Sequence, residues 1–249
     1  MVQQTILWSP PPKELALSSD DVHVWCASLE QPASRVEQLR QILSAEELSR
    51  AERFYFEQHK KRFIVGRGLL RTILGRYLGI EPSQVQFSYG AHGKPALEAK
   101  LGESTVQFNV SHSQDIALYG VTCNRLIGVD IEYIRPMSDA EQIVERFFAA
   151  TENALFRALP TTQKQEAFFN CWTSKEAYLK ACGDGLARSL NHIEVSLIPG
   201  EPARLLSIEG SPSSATRWCL RDLTPASGYV AAIAVEGHDW RMNCWQWSE

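Results

Sequence analysis

The sequence lacks the features that would direct a protein into a membrane or a secretory pathway. No apolar run approaches the roughly 18 residues that a membrane-spanning helix requires. The segment from Met1 to Pro12 has no basic stretch followed by an apolar core, so it does not resemble a signal peptide. A cytoplasmic protein that does not bind membranes is therefore expected.

The cysteines are few and scattered, and a basic excess is missing. None of the six cysteines forms a pair at the C-x-x-C spacing of a zinc knuckle or a redox site. Free thiols in a reducing compartment are the expected state. The net charge is −4, which argues against a nucleic-acid-binding protein because such proteins usually carry a basic excess.

Several common catalytic signatures are also missing from the sequence. It contains no G-x-S-x-G elbow, no Walker A loop, no H-E-x-x-H helix and no G-x-G-x-x-G turn. The composition is that of an ordinary globular protein, with 44% apolar and 22% charged residues over 249 positions. This length is enough for one large domain or two small ones.

One segment is strongly basic although the whole chain is acidic. Between Arg50 and Arg76 lie eight basic residues, opposed only by Glu52 and Glu57. A basic patch on an acidic protein suits a polyanionic small ligand or an acidic partner. The same pattern is also typical of a solvated helix face, and the residues alone leave both interpretations open.

The order of predicted elements repeats along the chain. A strand at 22–27 precedes helices at 44–56 and 58–78, the first with a capping box of Ser44 and Glu47, and strands at 85–89, 106–110 and 116–121. A strand at 127–132 then precedes helices at 139–148, 151–159 and 163–181 and strands at 193–197, 203–208, 218–223 and 229–235. This order predicts an α+β fold of two similar halves, residues 1–123 and 124–249. Each half of this pseudo-dimer is expected to pack an antiparallel sheet against a long helix.

Asp130 and Glu132 are candidates for a metal site. The period of two in a strand puts both carboxylates on one face. Like charges this close are unfavourable unless a cation lies between them, and hard oxygen ligands suit Mg²⁺. Taken alone, however, this pattern is more often an exposed strand face.

Three further residues are candidates with ordinary alternatives. Glu176 and Lys180 are four residues apart on one predicted helix, so a surface ion pair would explain them. His112 is expected in a loop, residues 111–115, and could donate to a phosphate oxygen, although a histidine in a loop is more often ordinary.

Gly93-Lys94-Pro95 is expected at a glycine-rich turn, residues 90–95. A lysine after such a turn can meet a phosphate as a point charge. The turn can also present backbone N–H groups to an anion. The segment is therefore a second candidate for contact with a phosphate-bearing ligand.

The combination of these segments is more specific than each one alone, and it resembles the 4′-phosphopantetheinyl transferases of the larger, surfactin-synthetase-activating (Sfp-type) class. The two main signatures are matched by Gly128-Val129-Asp130-Ile131-Glu132 and by residues 172–180, Trp-Thr-Ser-Lys-Glu-Ala-Tyr-Leu-Lys. Further blocks are Gly93-Lys94-Pro95 and residues 108–113, and residues 53–55 and 62–71 resemble the N-terminal helices of the class. The resemblance covers roughly residues 44–180.

The resemblance implies a Mg²⁺-dependent transfer of the 4′-phosphopantetheine arm of coenzyme A to a serine of an apo acyl or peptidyl carrier protein, with release of 3′,5′-ADP. The implied metal ligands are Asp130, Glu132 and Glu176. The implied catalytic residues are Glu176 as candidate base, Lys180 and Asp130. The implied coenzyme A contacts are Arg62, Lys94, Pro95, Asn109, Val110, Ser111, His112, Lys175 and Lys180.

The implied partner is a carrier protein of fatty-acid, polyketide or non-ribosomal peptide biosynthesis. A monomer is expected, because two fused halves supply internally a site that smaller relatives build between subunits. The metal site is expected in the cleft between the halves. Two alternatives remain: another Mg²⁺-dependent phosphoryl or nucleotidyl transferase, and a non-catalytic coenzyme A- or carrier-binding module. Three clustered acids favour an enzyme, because a binding module does not need them.

Overall fold

Two main sheets, each packed against a 22-residue helix, form the centres of the two halves. The computed structural model describes residues 7–90, 93–98, 105–183 and 189–248, so part of the predicted turn at 90–95 lies outside the described residues. The helices are α1 Ala33–Gln41, α2 Ala45–Ala51, α3 Glu57–Leu78, α4 Ala140–Phe147, α5 Ala150–Ala158, α6 Thr161–Cys182 and α7 Pro212–Ala215. The strands are β1 Asp21–Ser28, β2 Phe87–Tyr89, β3 Pro95–Leu97, β4 Val106–Ser113, β5 Ile116–Cys123, β6 Ile127–Tyr133, β7 Ile193–Val195, β8 Leu205–Ile208, β9 Trp218–Leu223, β10 Tyr229–Glu236 and β11 Arg241–Gln246.

The two halves repeat the same sheet topology. Strands β1, β5 and β4 are neighbours in that order, and β6, β10 and β9 have the same order in the second sheet. All of these pairings are antiparallel. The long helices α3 and α6 both end at a glycine in the left-handed conformation, Gly79 with φ 66° and Gly183 with φ 77°. The predicted α+β pseudo-dimer is therefore confirmed.

Helix α2 is shorter than predicted. The capping box of Ser44 and Glu47 is present, but the helix ends at Ala51 instead of continuing to Phe56. The backbone N–H of Phe54 donates to the carbonyl of Ala51 in a tight turn, and Phe56 is extended before α3. Phe54, Tyr55 and Phe56 are all exposed, so little apolar burial would stabilise a further helical turn over this segment.

Strand β4 is longer than predicted, and the correction changes the positions of candidate residues. The expected loop at 111–115 is mostly strand, because His112 pairs with Ala117 and Ser113 with Ile116. Only Gln114 and Asp115 form the turn, with Gln114 at φ 50°. Residues 111 and 112 therefore point to opposite faces of the sheet.

The C-terminal strand β11 was not predicted, and it completes the sheet of the first half. It runs parallel to β1, with Trp25 opposite Trp245. Trp245 and Trp247 both pack near the buried ring of Trp25, with ring centroids 6.5 and 5.7 Å away. Strand β11 therefore belongs to the sheet of the first half, although its residues lie in the segment 124–249.

Three apolar cores hold the molecule together. One core lies between each sheet and its long helix. The third lies between the two halves, where Val22 and Val24 of β1 pack with Val129 and Ile131 of β6. The faces of β6 are therefore divided: one is buried between the halves, and the other is left for Gly128, Asp130 and Glu132. Among the described helices, none combines the length and the apolarity that crossing a membrane requires.

Candidate active site between the two halves

Strands β4 and β6 belong to different sheets, and polar side chains of β4 join them. Asn109 Oδ1 accepts a hydrogen bond from the backbone N–H of Val129 at 2.9 Å. Ser113 Oγ accepts one from the backbone N–H of Tyr133 at 3.1 Å. Alternate residues of β4 therefore form a polar row along β6.

Asp130 lies at the centre of this joint and is only 5% exposed. Its Oδ1 accepts hydrogen bonds from Lys180 Nζ at 2.5 Å and from Ser111 Oγ at 2.9 Å. Lys180 Nζ also donates to Ser111 Oγ at 2.8 Å. Asp130 Oδ2 is buried and has no hydrogen-bond partner among the described residues. A buried carboxylate oxygen without a partner is costly and indicates a missing ligand.

Glu132 and Glu176 are half-buried beside Asp130. Burial raises the pKa of Glu132, the hydrogen bond from Ser113 Oγ at 2.9 Å opposes this, and the negative charge of Asp130 raises it further. Burial also raises the pKa of Glu176, and the charges of Asp130 and Glu132 act in the same direction. The three residues, called the acid cluster below, therefore repel one another electrostatically.

The acid cluster has the donor chemistry that a hard divalent cation requires. Carboxylate oxygens are the preferred ligands of Mg²⁺, and a cation would relieve both the mutual repulsion and the unpaired Oδ2 of Asp130. Among the described residues, no group of three His, Cys, Asp or Glu side chains is already arranged to hold a metal ion. Lys180 instead neutralises one oxygen of Asp130. The residues fit a metal, and that they bind one stays a prediction.

The raised pKa of Glu176 predicts a pH-dependent stability effect. An acid with a raised pKa in the folded state binds its proton more tightly there than in the unfolded chain. The contribution of Glu176 to the stability should therefore fall as the pH rises from about 4.3 through the raised value. Glu176→Gln should remove this loss and melt at a higher temperature than wild type at pH 8 without added metal. Thermal melts at pH 4 and pH 8 check this, and an equal difference at both pH values would contradict it.

Lys94 connects the first half to the acid-bearing elements of the second. Its Nζ donates to the carbonyl of Ala181 at 2.9 Å and to that of Ile127 at 3.5 Å, and burial lowers its pKa. Pro95 begins strand β3 and pairs with Tyr89. These two candidate residues therefore lie where α6 ends and β6 begins.

His112 and Arg62 lie on the α3 side of β4, together with the partly buried Val110. His112 is exposed, yet the protein around it still desolvates its ring. Desolvation lowers its pKa, and the positive charges of Lys180 and Arg62 lower it further. Arg62 Nη2 is 3.0 Å from Glu30 Oε1. Arg62 and Lys180 therefore place positive charge around His112, whose lowered pKa favours the neutral imidazole.

Lys175 does not have the environment of a coenzyme A contact. It is 1% exposed, and its Nζ is 2.6 Å from Glu152 Oε2. It also donates to the carbonyls of Leu190 and Ile193 at 2.9 and 2.6 Å. All three donor hydrogens are thus used inside the core, so the expectation for this residue is corrected to a structural role.

Sequence reasoning missed Ser113 and Glu152. Ser113 holds Glu132 and could have been found, because Asn109, Ser111 and Ser113 alternate with the same period as Asp130 and Glu132. Glu152 is the third residue of α5 and accepts a hydrogen bond from the backbone N–H of Ala149 at 2.7 Å. That position could indicate a capping role for Glu152, but it could not indicate the ion pair with the buried Lys175.

Comparison with known proteins agrees with this geometry. The model of the 4′-phosphopantetheinyl transferase superfamily matches residues 126–234, and a model of a 4′-phosphopantetheinyl transferase N-terminal region matches residues 28–123. The chain is 49% identical to the 4′-phosphopantetheinyl transferase HetI of Nostoc sp. over 247 residues, which are 99% of this chain and 100% of HetI. It is 29% identical to the 4′-phosphopantetheinyl transferase Sfp of Bacillus subtilis over 68% of this chain and 74% of Sfp. The chain therefore belongs to the Sfp-type 4′-phosphopantetheinyl transferases.

Proposed function

We propose that this transferase moves the 4′-phosphopantetheine arm of coenzyme A to a serine of an apo carrier protein in a Mg²⁺-dependent reaction. The observation that carries the proposal is the buried Asp130 carboxylate, whose Oδ2 has no partner among the described residues. Its negative charge raises the pKa of both Glu132 and Glu176, and Lys180 forms an ion pair with it. This arrangement suits a metal ion that is coordinated both by the carboxylates and by a diphosphate.

Asp130, Glu132 and Glu176 would hold the metal ion. When bound, Mg²⁺ would neutralise and orient the diphosphate of coenzyme A. Ser111 and Ser113 fix the first two carboxylates through hydrogen bonds of 2.9 Å. Such partners orient metal ligands and support their affinity.

The cations around the acid cluster would bind the phosphates of coenzyme A. Lys180 is 30% exposed, and its Nζ lies 2.5 Å from Asp130 Oδ1. A metal ion bound to Asp130 would displace the Lys180 ammonium, which would then contact a phosphate oxygen. Lys94, His112 and Arg62 would reach the phosphates from the first half, with Arg62 at the 3′-phosphate of the adenosine. Asn109, Val110 and Ser111 would contact coenzyme A partly through the backbone, and Pro95 would shape the turn beside it.

The nucleophile would be the hydroxyl of the carrier serine. Its oxygen forms a bond to the phosphorus that bears the pantetheine, the bond from that phosphorus to the bridging oxygen breaks, and 3′,5′-ADP leaves. Glu176 is the candidate general base that would accept the serine proton. One chain supplies both sides of the site, so we expect a monomer to be active.

The proposal is tested by the mass of the carrier. An apo carrier protein incubated with the enzyme, coenzyme A and Mg²⁺ should gain the mass of one phosphopantetheine group, and 3′,5′-ADP should appear in equal amount. The matched control replaces Mg²⁺ with EDTA and should show no gain. If several diverse apo carriers all stay unmodified, or if transfer is equal in EDTA, the proposal is contradicted.

A further inference from the structure

Lys175 and Glu152 form a buried ion pair in which every polar atom has a partner. Glu152 Oε1 accepts from the backbone N–H of Val195 at 2.7 Å, and Oε2 accepts from that of Ala149 at 2.7 Å and from Lys175 Nζ at 2.6 Å. Both residues are only 1% exposed. The pair ties the middle of α6 to the start of α5 and to the segment before β7.

The first half contains a similar buried ion pair, formed by Arg71 and Glu47. Arg71 is 3% exposed, and its Nε is 2.7 Å from Oε2 of Glu47, which is 4% exposed. Arg71 Nη1 donates to the carbonyl of Val85 at 2.8 Å and to that of Pro82 at 3.2 Å. Glu47 Oε2 also accepts from the backbone N–H of Ser44 at 2.9 Å, as part of the capping box of α2.

The two pairs occupy equivalent positions in the repeat. Each cation lies eight residues before the glycine that ends its helix, Gly79 or Gly183. Each glutamate is the third residue of the short helix that precedes the long one. Each cation also binds carbonyls in the segment that follows the long helix. Duplication therefore preserved a connection that fixes a long helix against its neighbours, with arginine in one half and lysine in the other.

The pair of the second half fixes a helix that carries part of the acid cluster. Lys175 directly precedes Glu176, whereas the residue after Arg71 is Thr72. On the opposite side, a Cβ added to Gly128 would lie 2.0 Å from the carbonyl oxygen of Ala177, so β6 and α6 are in backbone contact. The ion pair and this contact together fix the rotation of α6 about its axis, and that rotation sets the distance from Glu176 to Asp130.

We infer that Glu152 is a positioning residue that acts through Lys175 to hold Glu176 in line with Asp130 and Glu132. The inference rests on the proposed metal site. Glu152 touches neither metal nor substrate in this account. Its effect should therefore appear as weakened metal binding in a folded protein, which a role confined to stability would not produce.

The test compares Mn²⁺ binding, followed by electron paramagnetic resonance, in wild type and four variants of the full chain. Glu152→Gln and Lys175→Met should weaken Mn²⁺ binding by about tenfold or more, as the loss of partners that orient metal ligands does. Lys175→Arg should bind Mn²⁺ within about twofold of wild type, because Arg71 does the same task in the first half. Glu47→Gln is the matched control, because it breaks the equivalent pair away from the acid cluster, and it should also bind within about twofold of wild type. All titrations are made at a temperature at which circular dichroism shows each variant folded.

The outcomes separate this inference from the function on which it rests. Wild type that binds no Mn²⁺ would contradict the proposed metal site itself. Wild-type affinity in a folded Glu152→Gln or Lys175→Met variant would overturn only the positioning role. Equal weakening by Glu47→Gln, or an arginine variant no better than the methionine variant, would also overturn it. If Glu152→Gln does not fold, the comparison of Lys175→Arg with Lys175→Met decides, because Glu152 keeps its two backbone partners in both.

Discussion

Replacing Asp130 with asparagine is expected to reduce phosphopantetheine transfer by about a hundredfold or more while the fold is kept. Asparagine has the same shape and can still accept hydrogen bonds from Lys180 and Ser111, but it lacks the charge that a metal requires. Metal assistance contributes several kcal/mol to such reactions, and each 1.4 kcal/mol is a factor of ten in rate. Initial rates of carrier modification at saturating coenzyme A measure the loss.

Asp222→Asn is the matched control for this experiment. Asp222 and Asp130 lie opposite the same residue, Ala232, on its two neighbouring strands, so they share one row and one face of the sheet. Asp222 accepts a hydrogen bond from the backbone N–H of Ala203 at 2.8 Å, which asparagine can also do. Asp222→Asn should keep wild-type rates. A folded Asp130→Asn enzyme as active as the Asp222→Asn enzyme would refute the role of Asp130.

Replacing Gly128 with alanine is expected to be among the most destabilising single substitutions in the chain. The added Cβ would lie 2.0 Å from the carbonyl oxygen of Ala177 and 2.4 Å from the backbone nitrogen of Ala181. Both are backbone atoms, so β6 and α6 must separate. Overpacking of this kind costs about 3 kcal/mol or more. Urea unfolding measures the change in the free energy of unfolding. Because β6 carries Asp130, its separation from α6 should also move Asp130 out of place and abolish transfer.

Gly66→Ala is the control for the glycine substitution. Gly66 lies in the long helix of the first half, and its added Cβ would be 3.7 Å from the nearest atom, Leu29 Cδ2, which is an ordinary contact. Alanine is favoured over glycine inside a helix by about 1 kcal/mol, so this variant should be as stable as wild type or more stable. Similar unfolding midpoints for Gly66→Ala and Gly128→Ala would show that close contact between β6 and α6 does not limit stability.

The two halves differ in what the equivalent basic residue near the end of the long helix contacts. Arg76 lies three residues before Gly79, as Lys180 lies three residues before Gly183. Lys180 pairs with Asp130 on β6, whereas Arg76 lies over the ring of Trp25 on β1, with 5.4 Å between the guanidinium carbon and the ring centroid. Trp25 is fully buried and packs against Trp245 of the C-terminal strand. A buried indole therefore fills in the first half the position that a carboxylate takes in the second.

Local patterns predicted the parts of the fold that depend on neighbouring residues. The 3.6-residue period gave α3 and α6 within two residues, and the period of two placed Asp130 and Glu132 on one face. The same period, read in β4, would have added Ser113 to the site. Helix α2 was overextended because Phe54, Tyr55 and Phe56 are apolar but exposed, and a propensity pattern does not distinguish an exposed apolar residue from a buried one.

The parts that failed depend on contacts between distant segments. Strand β11 pairs in parallel with β1, more than 200 residues away, and no short-range signal specifies such a partner. Lys175 belongs to the signature segment, but its partner Glu152 lies on another helix. Its role therefore became visible only with the buried pair and its counterpart, Arg71 with Glu47. Lys180 likewise pairs across to β6 and is not explained by the helix-surface pattern alone.

The most direct test of the account is the position of a bound metal ion. Crystals grown with coenzyme A and Mn²⁺ should give one strong anomalous peak between Asp130, Glu132 and Glu176. Carboxylate oxygens of these residues and an oxygen of the diphosphate should lie at about 2.1 Å, the distance typical of Mg²⁺ sites. A peak elsewhere in the protein, or a diphosphate bound far from the metal ion at these three residues, would contradict the proposed metal site.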